Sequence, residues 1–306
     1  MENQIAGSLK NVFPAGIRTV AVVAPAGPFD PEALRSGIAL LEEAGLRVVT
    51  SPELWTRCGV PYLAQERAVR LADLNRAIRD PRTDLILCAR GGFGSVHLLD
   101  GVDWETLRKR ALPVMGYSDI TALHGAMLAR HAGIPVAGPM AAKLVEAARF
   151  EMNTAGIRRA FAGKPGEALW DGALRGRRGH APIYGKPFAA NLTVLATLCG
   201  TDFQPGLTGR IVILEDVGEP VYKIDRMLTQ LAMSGVFRGV RALVFGSFTG
   251  TAEQADLERL EDELGARLAL PVFRDVPFGH VFPMITVHAE QNWEVRDLRI
   301  RVAPAP

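Results

Sequence analysis

A chain of 306 residues and 33.1 kDa has room for one large domain or two ordinary ones. Hydrophobic residues make up 48% and charged residues 22%, enough apolar material to offset chain entropy, which excludes disorder as the main state. The 35 Lys and Arg nearly balance the 33 Asp and Glu, leaving +2, so there is no electrostatic case for a nucleic-acid partner or a polybasic membrane protein.

The opening segment, MENQIAGSLKNVFPAG, lacks a basic start followed by an apolar stretch, and no run approaches ~18 apolar residues. Neither a signal peptide nor a membrane span is expected, and the expected location is cytoplasmic. Thr19–Pro25 (TVAVVAP) is a continuous apolar run of strand length, as in a strand buried on both faces. Asp30 then caps a helix with Pro31 in its first turn, and Gly45 stops it. Strands follow at Arg47–Ser51, Thr83–Arg90, Leu112–Gly116 and Gly133–Pro139. A helix with apolar positions Ala64, Val69, Leu71, Leu74 and Ile78 precedes the third strand, and the helix DITALHGAMLARHAG follows the fourth. Repeated βα units predict a Rossmann-like parallel sheet with helices on both faces.

The pattern breaks near Ala162. Residues 164–187 are rich in Gly, Pro and Arg and are expected to link an N-terminal α/β domain (1–163) to a smaller mixed α/β C-terminal domain (188–306). In the second domain a helix is predicted at Asn191–Cys199, a strand at Arg210–Asp216, and an amphipathic helix from Tyr222 to Ser234. A strand at Arg241–Phe248, a helix at Gln254–Leu268 and a tail of short strands complete it.

Three loops have the residue types of a reaction site. Gly116-Tyr117-Ser118-Asp119 sits between a strand and a helix, where open α/β folds keep their sites. A serine there has the setting of a nucleophile elbow, although Ile120 stands where the G-x-S-x-G signature has glycine; Ser118 or Asp119 could equally be a helix N-cap. Arg90-Gly91-Gly92-Phe93-Gly94 lets backbone approach a ligand closely, or is a plain βα turn. Its spacing is neither G-x-G-x-x-G nor a P-loop, so no nucleotide cofactor is expected. Glu215 ends an apolar strand, with Asp216 and Glu219 close behind, and His280 lies in the Gly/Pro-flanked loop PFGHVFP. The six histidines and three cysteines form no ligand spacing, so no metal is expected, and Cys88 reads as core.

Taken together, GGFG, GYSD, LEDVGEPVYKIDRMLTQL and FGH, in that order, resemble the LD-carboxypeptidase family of serine peptidases, which includes microcin C7 self-immunity proteins. The resemblance spans nearly the whole chain. It implies a Ser118-His280-Glu215 triad across a domain interface, with the backbone N–H groups of Asp119 and of Gly91 or Gly92 as an oxyanion hole. Asn191 and Arg90 are implied as substrate-binding, and linker arginines Arg175, Arg177 and Arg178 are further candidates for a substrate carboxylate. It implies a cytoplasmic hydrolase that removes the terminal D-alanine of murein tetrapeptide in peptidoglycan recycling, with no cofactor; a homodimer is the expected assembly. A rival within the family is a self-immunity peptidase acting on a peptide-nucleotide antibiotic, for which Trp170 or Tyr184 would offer the aromatic surface. A rival of another class is a non-catalytic binder of a small anionic ligand.

Overall fold

The computed structural model describes residues 9–177, 180–250 and 254–305. The first eight residues of the opening segment lie outside the described residues, as do Arg178 and Gly179 of the expected linker.

The first half runs β1 (Thr19–Val23), α1 (Pro31–Glu43), β2 (Arg47–Val49), α2 (Arg67–Arg79), β3 (Leu85–Cys88), α3 (Trp104–Arg110), β4 (Pro113–Gly116), α4 (Thr121–Ala129), β5 (Ile134–Ala137), α5 (Leu144–Ala147) and α6 (Glu151–Ala162). Local chemistry sets these limits as expected. Asp30 caps α1, its carboxylate accepting from Glu32 N at 2.9 Å, and Gly45 leaves the helix at φ 88°. Every residue of β1 and β3 is buried, as sheet strands covered on both faces must be.

The second half comprises β6 (Arg175–Gly176), β7 (Ile183–Asn191), α7 (Leu192–Thr197), β8 (Arg210–Val217), α8 (Val221–Met233), β9 (Ala242–Thr249), α9 (Gln254–Leu268), β10 (Val272–Arg274), β11 (Val287–His288), β12 (Trp293–Arg296) and β13 (Arg299–Val302). The strands form two sheets, ordered β2-β1-β3-β4-β5-β11 and β13-β12-β7-β8-β9-β10-β6. In the first, β1 to β5 are parallel, and β11 from the chain's tail joins antiparallel to β5. In the second, β7 to β10 are parallel, flanked by the antiparallel β12–β13 hairpin and β6.

Residues 164–187 carry β6 and the start of β7, and Leu169, Trp170 and Leu174 within them are buried. One apolar cluster runs from the first sheet into the second, through Ile86, Ile120 and Leu123 on one side and Ile211, Val244 and Phe278 on the other. Burying one such side chain contributes about 1.5–3 kcal/mol, so this shared core holds the halves together. Among the described residues no helix is long and apolar enough to cross a membrane. The strand order of the first sheet reverses at β1 and β3, the place where open α/β sheets form their ligand crevice beyond the carboxyl ends of the strands, beside that of β4.

Candidate active site

Ser118 stands two residues past the end of β4, at φ 65°, a left-handed conformation that is costly for any residue with a Cβ. The turn closes because its neighbours make room. A Cβ at Gly91 would stand 2.8 Å from Ser118 Cβ, so only glycine lets the loop after β3 lie against the serine. On the other side of the turn, Ile120 is fully buried, and a Cβ at Gly116 would sit 2.9 Å from its Cγ1. The small residue that makes this elbow possible therefore lies two positions before the serine, and Ile120 fills the core where the signature has glycine. Neither Ser118 nor Asp119 is an N-cap through its side chain: Tyr117 precedes the 3₁₀ turn at Ser118–Ile120, which has no side-chain cap.

Glu215 comes from the second sheet. It is fully buried, at a register shift between Leu214 and Asp216 where β8 pairs with β9. Such a bulge re-aims a side chain, and bulges recur beside reactive groups. Its partner in the parallel β7–β8 ladder is Asn191. His280 is delivered by the loop between β10 and β11. That loop is tied to β9, with Ser247 N donating to Phe278 O at 2.9 Å, and to α6, with Met284 N donating to Asn153 Oδ1 at 2.6 Å. Gly279 has φ 133°, and a Cβ there would stand 3.0 Å from Glu215 Oε2. A side chain at this position would part the histidine from the carboxylate.

The structure brings Ser118, His280 and Glu215 together. His280 Nδ1 is 2.8 Å from Glu215 Oε2, and His280 Nε2 is 3.0 Å from Ser118 Oγ. A carboxylate only accepts, so Nδ1 carries the proton and donates it, leaving Nε2 to accept from the serine hydroxyl. The Tyr117 ring meets the imidazole edge-on at 5.3 Å. Burial works against an imidazolium at His280, but the Glu215 hydrogen bond and charge, with Asp216 behind, raise its pKa above the ordinary histidine value. Burial, with the Glu215 charge adding, pushes the Tyr117 phenol up to about 12, so it stays neutral. A serine hydroxyl, a basic ring nitrogen and an orienting carboxylate in one line can generate an alkoxide nucleophile and return the proton to a leaving group.

The other expected residues fall out differently. Asp119 is buried, Gly91 lies against the turn at Ser118, and Gly92 lies against Gly27. Arg90 is exposed at the start of the glycine loop and donates to Pro28 O. Asn191, expected at the substrate, is 5% exposed and its side chain is committed within the protein. Its amide donates to Glu215 Oε1 at 3.1 Å and Asp216 Oδ1 at 3.2 Å, and its Oδ1 caps α7 through Val194 N at 3.0 Å. Arg175 is held by Glu258 and Asp275, both at 2.8 Å, which removes it from the carboxylate-binding candidates. Arg177 lines a separate cavity with His180, Asp262 and Arg274. Glu219 pairs with Lys223 at 3.2 Å. Trp170 is buried, and the Tyr184 hydroxyl on β7 donates to Glu294 at 2.8 Å. Cys88 is fully buried, and burial drives its thiol pKa up.

Sequence reasoning gave no role to Gly279, whose signal was its place before the histidine, and weighed Asp216 only as one of three carboxylates that could orient a histidine. The Asp216 Oδ2 accepts from Thr193 N at 2.9 Å and Thr193 Oγ1 at 2.8 Å, which locks α7 to β8 behind Glu215. Among the described residues no group of three or more His, Cys, Asp or Glu could hold a metal ion.

The family model for the LD-carboxypeptidase N-terminal domain matches residues 20–138, and that for the C-terminal domain matches residues 184–295. A Streptomyces coelicolor protein named as a carboxypeptidase is 39% identical over 276 residues, covering 88% of this chain and 87% of its own length. The murein tetrapeptide carboxypeptidase of Pseudomonas aeruginosa is 34% identical over 278 residues, covering 85% of this chain and 87% of its own. In fold, the crystal structure of muramoyltetrapeptide carboxypeptidase from Oxalobacter formigenes superposes with a TM-score of 0.81 at 24% identity, over 94% of this chain and 99% of that one. With both halves of the chain matched in order, this protein belongs to the LD-carboxypeptidase family and is a serine-type hydrolase.

Proposed function

We propose that the protein releases the terminal D-alanine of murein tetrapeptide by cutting an L,D bond, as a cytoplasmic step of peptidoglycan recycling, with Ser118, His280 and Glu215 as its catalytic triad. The observation that carries this reading is the continuous Glu215–His280–Ser118 hydrogen-bond relay between the two sheets. Ser118 Oγ attacks the carbonyl carbon before D-alanine while His280 Nε2 takes the hydroxyl proton. Glu215 holds the imidazole tautomer and stabilises the imidazolium. The backbone N–H groups of Asp119 and of Gly91 or Gly92 receive the charge that develops on the carbonyl oxygen. His280 then gives its proton to the departing amine of D-alanine, leaving an acyl ester on Ser118. Water, deprotonated by the same imidazole, hydrolyses the ester and restores the serine.

Arg90 is the proposed partner of the substrate's terminal carboxylate. It adjoins Gly91, which lies against Ser118, whereas Arg175 is already paired with two acids. A guanidinium matches a carboxylate bidentately. The murein substrate is supported by the Pseudomonas relative, whose name states that substrate and which is 34% identical along most of both chains. A self-immunity role needs a ring to receive a nucleobase; of the two sequence candidates Trp170 is buried, while Tyr184 is exposed, with its hydroxyl bonded to Glu294. The test is direct. Purified protein is incubated with murein tetrapeptide and free D-alanine is measured. Release is expected from the wild type; a folded enzyme that leaves the tetrapeptide intact would overturn the assigned substrate.

A further inference from the structure

Arg70, between Val69 and Leu71 of α2, is 3% exposed. Its guanidinium leaves the helix to meet three backbone carbonyls. Nε donates to Gln65 O at 2.8 Å, and Nη1 donates to Gly94 O at 2.8 Å and also to Pro25 O, just past β1. Only glycine tolerates this approach at residue 94: its φ is 117°, and a Cβ would stand 3.0 Å from Arg70 Nη1 and 2.6 Å from Leu63 Cδ2.

The next atoms along the chain are held from the opposite side. Asp119, 2% exposed, accepts from Ser95 N through Oδ2 at 2.8 Å, and its backbone oxygen accepts from Ser95 Oγ at 2.6 Å. The single peptide group joining Gly94 to Ser95 is thus gripped at its carbonyl by a cation from α2 and at its N–H by the anion beside Ser118. Burial pulls the Arg70 pKa down and pushes the Asp119 pKa up, and the attraction between the two charges opposes both shifts. Gly91 O is fixed at the other end of the loop by Gly27 N at 3.0 Å. Gly92 N–H shares the peptide group of Gly91 O, and Gly91 N–H lies one peptide before it, so both amides belong to the short loop these anchors hold.

We propose that Arg70 is a positioning residue of the reaction: with Asp119 it clamps the Gly94–Ser95 peptide and so fixes the glycine-loop amides relative to Ser118. The inference rests on the reading of Ser118 as nucleophile and of those amides as oxyanion donors. Such donors work only when pre-aimed, because small displacements forfeit their effect. A loop containing three glycines in four residues has little stiffness of its own, and a clamp from outside supplies it.

The experiment compares Arg70→Lys and Arg70→Gln with wild type in two assays. One measures D-alanine release from murein tetrapeptide. The other measures phosphonylation of Ser118 by a small fluorophosphonate, which needs the serine, the imidazole and the oxyanion donors but no peptide. Both variants are expected to keep KM within about twofold while kcat and the phosphonylation rate fall together by roughly ten- to a hundredfold, less than the ~10²–10³ seen when an oxyanion donor is removed outright. The pH at which activity half-develops should not move, because the His280–Glu215 contact is untouched. A folded variant with kcat and phosphonylation within twofold of wild type would overturn the proposal, as would a loss confined to KM. Should Arg70→Gln fail to fold, Arg70→Lys, which keeps the charge and loses the fork, decides by the same criteria. A wild type that phosphonylates without releasing D-alanine, and does so more slowly as Arg70→Lys, refutes the substrate and upholds the clamp.

Discussion

Ser118 and Glu215 occupy comparable places, each at the carboxyl end of a central parallel strand, β4 in one sheet and β8 in the other. They are held by opposite means. Around Ser118 the backbone is the device: a left-handed turn, Gly116 beneath Ile120, and Gly91 pressed against the serine itself. Around Glu215 side chains are the device: Asn191 on one oxygen, His280 on the other, and Asp216 with Thr193 bracing them. A hydroxyl is neutral and can be set by strain alone. A fully buried carboxylate must have its lone pairs satisfied, so its support is a hydrogen-bond network. The first kind of support should tolerate loss of the functional group, and the second should not.

The largest effect tests that difference. Ser118→Ala is expected to lower kcat by about 10⁴-fold or more, since triad members act as a unit, while thermal stability stays near wild type. Ser118→Gly should be equally inactive yet more stable by about 1 kcal/mol, because glycine relieves the φ 65° strain. A Ser118→Ala enzyme retaining a tenth of wild-type turnover would end the nucleophile assignment.

Glu215→Gln should cost about 10³–10⁴ in kcat, by loss of the imidazolium's partner and of the correct tautomer. In contrast to the serine changes, it should also lower the unfolding midpoint, because Asn191 and His280 lose a charged acceptor at a fully buried position. Equal stability in Ser118→Ala and Glu215→Gln would mean that the contrast between the two halves is wrong.

A third effect concerns the rim. Amidating the terminal carboxylate of the tetrapeptide should lower kcat/KM by about 2–4 kcal/mol, the penalty for a charge left without its partner. In Arg90→Ala the free and amidated peptides should be turned over almost equally. Arg175→Ala, which breaks the ion pairs with Glu258 and Asp275, should preserve the discrimination. If Arg175→Ala abolished it while Arg90→Ala did not, the rim assignment would be reversed.

The same contrast explains what was legible in the sequence. The parallel first sheet showed in its apolar runs, because strands buried on both faces have no polar face to blur the signal. Ser118 was visible as a strand–turn–helix junction, a local pattern. Glu215 and His280 became a pair only through resemblance to a family, since they lie far apart in the chain and meet through folding alone. The role of Asn191 was hidden for the same reason: its ladder partner in β8 decides where its amide goes, and nothing in the neighbouring sequence states that. The stretch 164–187 reads as a linker from its glycines and prolines, yet Leu169, Trp170 and Leu174 bury themselves against the second sheet. Composition records backbone freedom and says little about what a segment packs upon. The pairing of β11 with β5 was equally invisible, being two residues long and contributed by the opposite half.

The smallest expected effect is on pH, and it links both halves through one imidazole. His280 must be neutral at Nε2 to accept the Ser118 proton, so kcat/KM should rise with pH and level off once the imidazolium has titrated. Burial alone would favour the neutral ring and move this rise below the ordinary histidine value near ~6.5. The Glu215 hydrogen bond and charge, with the Asp216 charge, outweigh burial and raise the pKa, so the rise should be centred above that value. Removing the charge in Glu215→Gln leaves only the Asp216 charge to oppose burial, and the residual activity of that variant should develop at lower pH than in the wild type. Stability follows the same sign. A histidine whose folded pKa is raised stabilises the fold fully below its unfolded pKa, and the contribution is lost as pH rises through the folded value. The wild type should therefore lose a small part of its thermal stability as the pH rises through this range, just where activity is gained, and Glu215→Gln should not. Activity that develops at the same pH in both proteins would show that the buried carboxylate does not set the basicity of the imidazole, and Glu215 would then serve the ring's orientation only.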